Sequence, residues 1–341
     1  MQVSNQQDKA DTGLMMELWG SPERWNARKS YADVARKLGI DEQTVRNRLR
    51  RMRESGHLLG WCVFPNPTLL GRTAVSLLLE FDSSSSKEDA ITRLRQVKGV
   101  ASIASNYGDS LEVMVFDDGE GVPSREVEKI DALAKVQGVP SMRFPRTSQR
   151  MTPTDWQIVG LMLRNAERKV SEVAAQLKIS SRSVKRRLDG MMDSSAIFVV
   201  PMVDQRRSSG VSYRLIVETR DGMRSEVDRL LSSRIENLRF KAADSGNGLI
   251  FGFSGKNVEE GNKVMRWVRQ LEGVESARMT IVEEIFYVFD WLEEEVGRRA
   301  LMHVHTGRRA SRMGAIEARR RNETNDADSG NLETATRRPD R

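Results

Sequence analysis

The segment from Glu42 to Arg53 carries amide, hydroxyl and guanidinium side chains at a spacing that suits contact with a nucleic acid. On a helical wheel some of these groups lie on the face opposite a narrow apolar stripe, and the others lie on either side of that stripe. Guanidinium groups can bond guanine edges or phosphates, amides can bond adenine edges, and hydroxyls can do either. The candidate DNA-contacting residues of this segment are Gln43, Thr44, Arg46, Asn47, Arg48, Arg50 and Arg51.

A basic amphipathic helix on a solvated surface would have a similar composition, so the elements that position this segment matter. Val45, Leu49 and Met52 recur at helical spacing and predict an inward-facing stripe. Asp41 precedes the segment and can cap the first turn of the helix. The sequence therefore predicts one amphipathic helix with a fixed outer face.

The flanking residues predict a helix-turn-helix. Tyr31–Leu38 forms a shorter amphipathic helix, and Gly39 lies at the tight turn between the two helices. Gly56 ends the second helix, and the apolar run from Leu58 to Phe64 predicts a strand that Pro65 closes. We interpret that strand as a wing.

The same pattern returns later in the chain at a constant offset of 139 residues, from Val34 to Val173. Eight positions match without a gap: Val34, Ala35, Leu38, Ile40, Val45, Arg48, Leu49 and Met52 correspond to Val173, Ala174, Leu177, Ile179, Val184, Arg187, Leu188 and Met191. This is an internal duplication of one supersecondary unit. The candidate DNA-contacting residues of the second copy are Arg182, Ser183, Lys185, Arg186 and Arg187.

Composition agrees with a polyanionic partner. The 341 residues include 55 Lys and Arg against 48 Asp and Glu, a formal net charge of +7. The single cysteine, Cys62, excludes an intramolecular disulfide and a multi-cysteine zinc site. No apolar run is long enough to span a bilayer, and we expect a cytoplasmic protein without a membrane partner.

After each helix-turn-helix the periodicity changes to β, α, β, β, α, β, an order that predicts an antiparallel ferredoxin-like sheet with two helices on one face. In the first copy we expect a helix over Arg125–Val136 and a last strand over Val139–Phe144, and near the C-terminus a helix over Ile285–Arg299. The predicted fold class is α+β, with two winged helix-turn-helix domains alternating with two ferredoxin-like domains. We expect a disordered N-terminus (1–11), winged helix-turn-helix 1 (12–66), ferredoxin-like domain 1 (67–146), winged helix-turn-helix 2 (151–201), ferredoxin-like domain 2 (208–283), a C-terminal helix (284–301) and a disordered basic and polar tail (302–341).

This order of elements, with an Asn66-Pro67-x-x-Leu70-Gly71 connector between them, resembles the Lrp/AsnC family of prokaryotic transcription regulators. The resemblance covers the chain twice, from about residue 14 to 283. It implies a DNA-binding regulator that pairs its ferredoxin-like domains, and here a fused dimer with two unequal recognition helices and an asymmetric site. It also implies association of further copies, such as a dimer of pseudo-dimers.

Many members of this family bind an amino acid at a loop that reads roughly Gly-x-x-Asp. The corresponding residues here are Gly108 and Asp109 in the first half, and Gly246 and Asn247 in the second. The later acid is replaced by leucine in both halves, which weakens the case for amino-acid sensing. Asp109 could substitute for it, or the loops could be plain turns that need glycine and a polar neighbour.

Two alternative functions are compatible with the sequence. Siroheme decarboxylases resemble the same two-domain plan, but they need His and Arg around a tetrapyrrole, and the chain has only His57, His303 and His305. We find no phosphate loop, nucleophile elbow or paired-acid constellation, so we expect a non-enzyme without a cofactor or a metal. A nucleoid-type binder with little sequence preference is the other alternative, favoured by the Arg-rich start of the tail.

Overall fold

A computed structural model describes residues 13–18, 30–119, 125–140, 143–208, 210–243 and 246–301. The predictions made for residues 1–11 and 302–341, including both tail histidines, lie outside these ranges. The fold is α+β and contains the predicted pattern twice.

The first half contains a helix-turn-helix, one strand and then a four-stranded unit. Its elements are α1 (residues 13–18), α2 (Tyr31–Leu38), α3 (Glu42–Glu54), β1 (Leu58–Pro65), a 3-10 turn (Pro67–Leu70), β2 (Thr73–Glu80), α4 (Ser84–Leu94), β3 (Val100–Asn106), β4 (Ser110–Asp117), α5 (Arg125–Asp131) and β5 (Lys135–Val139).

The second half repeats this order and adds a terminal helix. Its elements are α6 (Pro153–Met162), α7 (Val170–Leu177), α8 (Ser181–Asp193), β6 (Ile197–Val203), a 3-10 turn (Gln205–Arg207), β7 (Val211–Thr219), α9 (Arg224–Arg234), β8 (Leu238–Ala243), β9 (Gly248–Gly255), α10 (Val258–Val268), β10 (Val274–Tyr287) and α11 (residues 290–301).

The two four-stranded units form one antiparallel sheet in the order β5-β2-β4-β3-β10-β7-β9-β8. Within each half the strand order is that of a ferredoxin-like unit, with the last strand beside the first. The halves meet where β3 pairs with the C-terminal part of β10, for example Ala104 with Ile285. One edge strand of each four-stranded unit therefore pairs with the other half of the chain and is not left exposed.

The joined sheet curls so that its two halves face each other. Gln137 on β5 accepts a hydrogen bond from Arg278 on β10 at 2.7 Å, although four strand spacings, about 19 Å, would separate these strands in a flat sheet. Glu112 on β4 and Arg214 on β7 form an ion pair at 2.5 Å across the same interior. The backbone N–H of Arg143 also donates to the Ala243 carbonyl at 3.1 Å, which brings the outer ends together.

The strands that follow α3 and α8 do not fold back as separate hairpins. Instead β1 pairs antiparallel with β6, with Cys62 opposite Val200, and we call this pair the ribbon, residues 58–65 with 197–203. The Tyr287 hydroxyl, buried so that its pKa is raised, donates to the Pro201 carbonyl at 3.0 Å and fixes the ribbon to β10. The wing interpretation of the Leu58–Phe64 run is therefore corrected: its backbone partners come from the other half of the chain.

Two further regions differ from the predictions. The helix expected over Arg125–Val136 ends at Asp131, and the last strand of the first unit is Lys135–Val139 rather than Val139–Phe144. Pairing with β2 supplies hydrogen bonds to this strand, and Pro140, which has no N–H, follows its last residue.

The second difference lies at the end of the second ferredoxin-like domain, which was predicted to stop at residue 283. Residues 284–287 continue β10 because they pair with β3, so the helix predicted over 284–301 begins at residue 290. The aromatic residue of this helix belongs to the core: Trp291 is 7% exposed and its indole N–H donates to the Val100 carbonyl at 2.7 Å.

Candidate nucleic-acid interface

The first recognition helix, α3, is fixed at its start by Asp41. The Asp41 carboxylate accepts from the Thr44 backbone N–H at 2.7 Å and from the Thr44 hydroxyl at 2.6 Å. These hydrogen bonds lower the pKa of Asp41. Val45, Leu49 and Met52 are buried, which sets the helix rotation so that the predicted polar face points outward.

The outer face of α3 carries a connected set of polar side chains. The Asn47 side-chain oxygen accepts from Gln43 Nε2 and from Arg50 Nη2, both at 3.1 Å. The Arg51 guanidinium donates to the Asn47 backbone carbonyl at 3.4 Å. Amide and guanidinium groups are thus linked along about two turns of the helix, and Asn47, which accepts through its side-chain oxygen, keeps its amide NH₂ as a donor.

The remaining predicted residues of α3 lie on its shoulders. Arg46 pairs with Glu42 at 2.5 Å, and its guanidinium lies 4.9 Å from the ring centroid of Tyr31 on α2. Arg48 is half-buried. Tyr31 was not among the predicted site residues, and only the packing of α2 on α3 places it beside Arg46.

The turns of the two helix-turn-helix units have the same backbone but different residues. Gly39 ends α2 with φ of 65°, and Lys178 ends α7 with φ of 56°. Both lie in the left-handed region, which costs a residue with a Cβ more than it costs glycine. The duplication therefore preserved the turn geometry without preserving the glycine.

The second recognition helix, α8, presents a different outer face. Ser180 caps it by accepting from the Ser183 backbone N–H at 3.1 Å. Arg182, Lys185 and Arg186 are exposed, and Lys185 pairs with Asp189 at 2.5 Å. By the duplication offset Asp189 replaces Arg50, so α8 has an acid where α3 has a guanidinium. The constant offset of 139 residues already indicates this difference in the sequence, because it aligns Asp189 with Arg50.

Arg187 has an internal partner. Its guanidinium contacts Asp155 at 2.8 Å and the Thr152 hydroxyl at 3.1 Å, and the Asp155 side chain is only 4% exposed. Thr152 and Asp155 also form the capping box at the start of α6. The structure thus gives Arg187 a role in holding α8 against α6, unlike the exposed basic residues of the same helix.

The connector after the ribbon is anchored by Asn66, which is fully buried. Its amide nitrogen donates to the carbonyl oxygens of Pro145 and Ser195 at 2.8 and 2.9 Å. Its side-chain oxygen accepts from the Thr68 backbone N–H at 3.1 Å. One side chain therefore ties β1 to the segments that follow β5 and α8.

The two predicted effector loops lie apart. The Tyr107 N–H, next to Gly108, donates to the Ile281 carbonyl on β10, whereas Asn247 accepts from Thr219, which pairs with Val274 at the start of β10. Along β10, Val274 and Ile281 are seven residues apart, which corresponds to about 24 Å between the two loops.

Each loop is also closed by side chains of its own half. Lys87 donates to the Gly108 carbonyl at 2.7 Å, and Ser84 donates to Asp109 at 2.9 Å. In the second half Arg224 donates to the Gly246 carbonyl, and Asn247 donates to Asp221 at 2.6 Å. These bonds make both loops well-satisfied turns.

One acidic cluster in the described ranges has metal-ligand spacing. Carboxylate oxygens of Asp117, Asp118 and Glu126 lie within 4.8 Å of one another. The Arg72 guanidinium lies among them, 3.3 Å from Asp118 and 3.8 Å from Glu126. An internal cation thus already compensates the carboxylate charge at this place.

Comparisons with known proteins agree with the helix-turn-helix. The model of the AsnC-type helix-turn-helix domain matches residues 25–53. The HTH-type transcriptional regulator Ptr1 of Methanocaldococcus jannaschii is 33% identical over 133 residues, which are 38% of this chain and 86% of that protein. The HTH-type transcriptional regulator LrpA of Pyrococcus horikoshii is 28% identical over 116 residues, 33% of this chain and 82% of that protein. The chain belongs to the Lrp/AsnC family of transcriptional regulators.

One solved structure spans both halves. The siroheme decarboxylase NirDL aligns with a TM-score of 0.51 over 86% of this chain and 99% of that chain, at 14% sequence identity. At this identity the likeness concerns the fold alone. Among the described helices none combines the length and the apolar composition needed to cross a membrane.

Proposed function

We propose that this chain is a sequence-specific transcriptional regulator that reads an asymmetric, bipartite site in double-stranded DNA as a covalently fused pseudo-dimer. The observation that carries the proposal is the ribbon, because antiparallel pairing relates its two strands by a local two-fold axis. Each ribbon strand follows a recognition helix directly in sequence. Two helices related in this way suit half-sites about one helical turn, or a multiple of it, apart.

The two half-sites should differ because the two recognition faces differ. On α3 the linked Gln43, Asn47 and Arg50 side chains combine amide and guanidinium donors, which favour purine edges. On α8 the exposed face is mainly basic, with Asp189 as its acid. We assign base reading to the α3 set and to Arg182 and Ser183, and phosphate contact to the other exposed basic residues.

Arg187 is assigned to the fold rather than to DNA because Asp155 and Thr152 already engage it. We further propose that the chain is not an enzyme. The two half-sheets enclose a cavity, and among the described residues that line it Arg214 is the only basic residue and none is a histidine. A tetrapyrrole reaction of the kind named for NirDL would need such groups around its substrate.

The experiment that tests the proposal is a selection of genomic DNA fragments bound by the full chain at physiological salt. We expect enrichment of one motif with two unequal half-sites at fixed spacing. Binding without enrichment would favour a nucleoid-type role. No DNA binding, together with a new absorption band on adding a tetrapyrrole, would favour the enzyme.

Variants should resolve the two half-sites. Asn47→Ala should relax base preference in one half-site only, by a factor that corresponds to about 1–3 kcal/mol. Arg46→Ala should weaken binding to all sequences and lower the salt dependence by about one phosphate contact. Arg229→Ala is the matched control, since Arg229 lies on α9, outside both recognition helices, and its side chain is 69% exposed. An unchanged sequence ranking for Asn47→Ala would contradict base reading by α3.

A further inference from the structure

The two half-sheets and the ribbon enclose a cavity of about 80 Å³. Its wall is mostly apolar and comes from both halves, with Phe116 from the first and Phe240 and Ile250 from the second. Phe64 of the ribbon and Phe144 add two further rings. An apolar cavity with few polar groups is the usual form of a small-molecule site.

One polar group in this wall lacks a partner. Glu112 is 6% exposed, and its Oε1 accepts from the Arg214 guanidinium. The other oxygen, Oε2, is buried and has no hydrogen-bond partner. A buried carboxylate oxygen without a donor is costly and uncommon, so this atom is a feature that a bound ligand would explain.

The surroundings of Glu112 define the chemistry of that ligand. Arg214 already balances the carboxylate charge, so a cationic ligand would leave an uncompensated charge inside the sheet. A neutral N–H or O–H donor would satisfy Oε2 without that cost. An engineered apolar cavity of about 150 Å³ holds benzene, so the smaller space here suits a molecule smaller than benzene.

We propose that the cavity is a binding site for a small neutral molecule with an apolar body and one hydrogen-bond donor directed at Glu112 Oε2. Such a ligand would touch both ribbon strands, because Phe64 lies on β1 and Val200 lies on β6. The ribbon connects the two recognition helices. Occupancy therefore changes the affinity for DNA by shifting their relative placement, a consequence that rests on the proposed function.

The test uses pyrrole and furan, two rings of equal size of which only pyrrole has an N–H donor. Ligand-detected NMR titrations of the full chain, without DNA, measure both dissociation constants. We expect pyrrole to bind about tenfold more tightly, because only it satisfies the buried oxygen. Ala104→Met, which fills the cavity from β3, should abolish the binding of both rings.

Two carboxylate variants separate the donor contact from general packing. In Glu112→Gln the amide oxygen can keep the bond from Arg214, and its NH₂ then faces the cavity, so the preference for pyrrole should fall to within about twofold. Glu295→Gln is the matched control, since Glu295 is also 6% exposed but lies on α11 and bonds to Arg298 and Arg299. It should leave the preference intact.

Equal binding of pyrrole and furan by the natural chain would overturn the proposal. So would undiminished binding by a folded Ala104→Met variant, or no pyrrole binding at tens of millimolar. If Ala104→Met does not fold, the preference of Glu112→Gln decides. Because the titrations contain no DNA, an absence of DNA binding with intact pyrrole binding would count against the proposed function only.

Discussion

Replacing Asn66 by alanine tests how the two halves of the chain are held together. The Asn66 amide nitrogen donates to the carbonyls of Pro145 and Ser195, at 2.8 and 2.9 Å. Its side-chain oxygen caps the following 3-10 turn through Thr68. Alanine cannot make any of these contacts, and the site is closed to water because Asn66 is 0% exposed.

The expected loss can be worked from these contacts. Each half-buried carbonyl that loses its donor costs about 1.5 kcal/mol, and a lost cap costs about 1 kcal/mol. We therefore expect Asn66→Ala to lower the free energy of unfolding by about 4 kcal/mol.

Urea unfolding of the full chain, followed by tryptophan fluorescence, measures this loss. Asn257→Ala is the matched control, because exposed Asn257 caps α10 by accepting from the Glu260 N–H at 3.1 Å. The control should lose about 1 kcal/mol. A loss for Asn66→Ala no larger than that of the control would refute the reasoning that its buried donors stabilise the join.

Three other perturbations have defined outcomes. Lys178→Gly should raise the free energy of unfolding by up to about 1 kcal/mol, because glycine adopts the positive φ of this turn without strain. Gly39→Ala should lower it by about 1 kcal/mol through backbone strain alone, since a Cβ at Gly39 meets nothing within 4 Å. Urea unfolding measures both changes. Arg187→Ala should cost about 2 kcal/mol of stability because Asp155 stays buried without its cation, and thermal unfolding without DNA would detect this loss. Unchanged stability together with weaker DNA binding would instead indicate that Arg187 contacts DNA. Hydrogen bonding lowers the pKa of Asp41, so the ionised carboxylate stabilises the fold above the unfolded-state pKa, and this stabilisation is lost as pH falls through the folded-state pKa. In Asp41→Asn the free energy of unfolding should therefore change less with pH in that acid range, as measured by urea unfolding across an acid pH series.

Local patterns in the sequence were sufficient for the helix-turn-helix units. The apolar stripe of Val45, Leu49 and Met52 fixes which face of α3 is buried whatever the helix packs against. Asp41 caps the helix through neighbours three residues away, and the constant offset between copies predicts the second unit from the first. Such contacts have short sequence separation, so residue type and spacing are enough to predict them.

Contacts between distant segments could not be predicted in this way. The Leu58–Pro65 strand has the apolar composition of any half-buried strand, and only the assembled chain supplies β6 as its partner. In the same way β3 holds residues 284–287 in β10, although their composition also fits a helix.

The tertiary structure also decided which basic residues are available to a partner. Arg186 and Arg187 are adjacent and chemically identical, yet Arg187 bonds to Asp155 while Arg186 is exposed. Glu112 Oε2 likewise lacks a hydrogen-bond partner because the curled sheet brings β4 opposite β7 and buries this atom between them. The sequence by itself determined the two helix-turn-helix units and the order of elements, since these depend on local periodicity. The join between the halves, the cavity and the roles of individual charges depend on long-range contacts, and only the tertiary structure decided them.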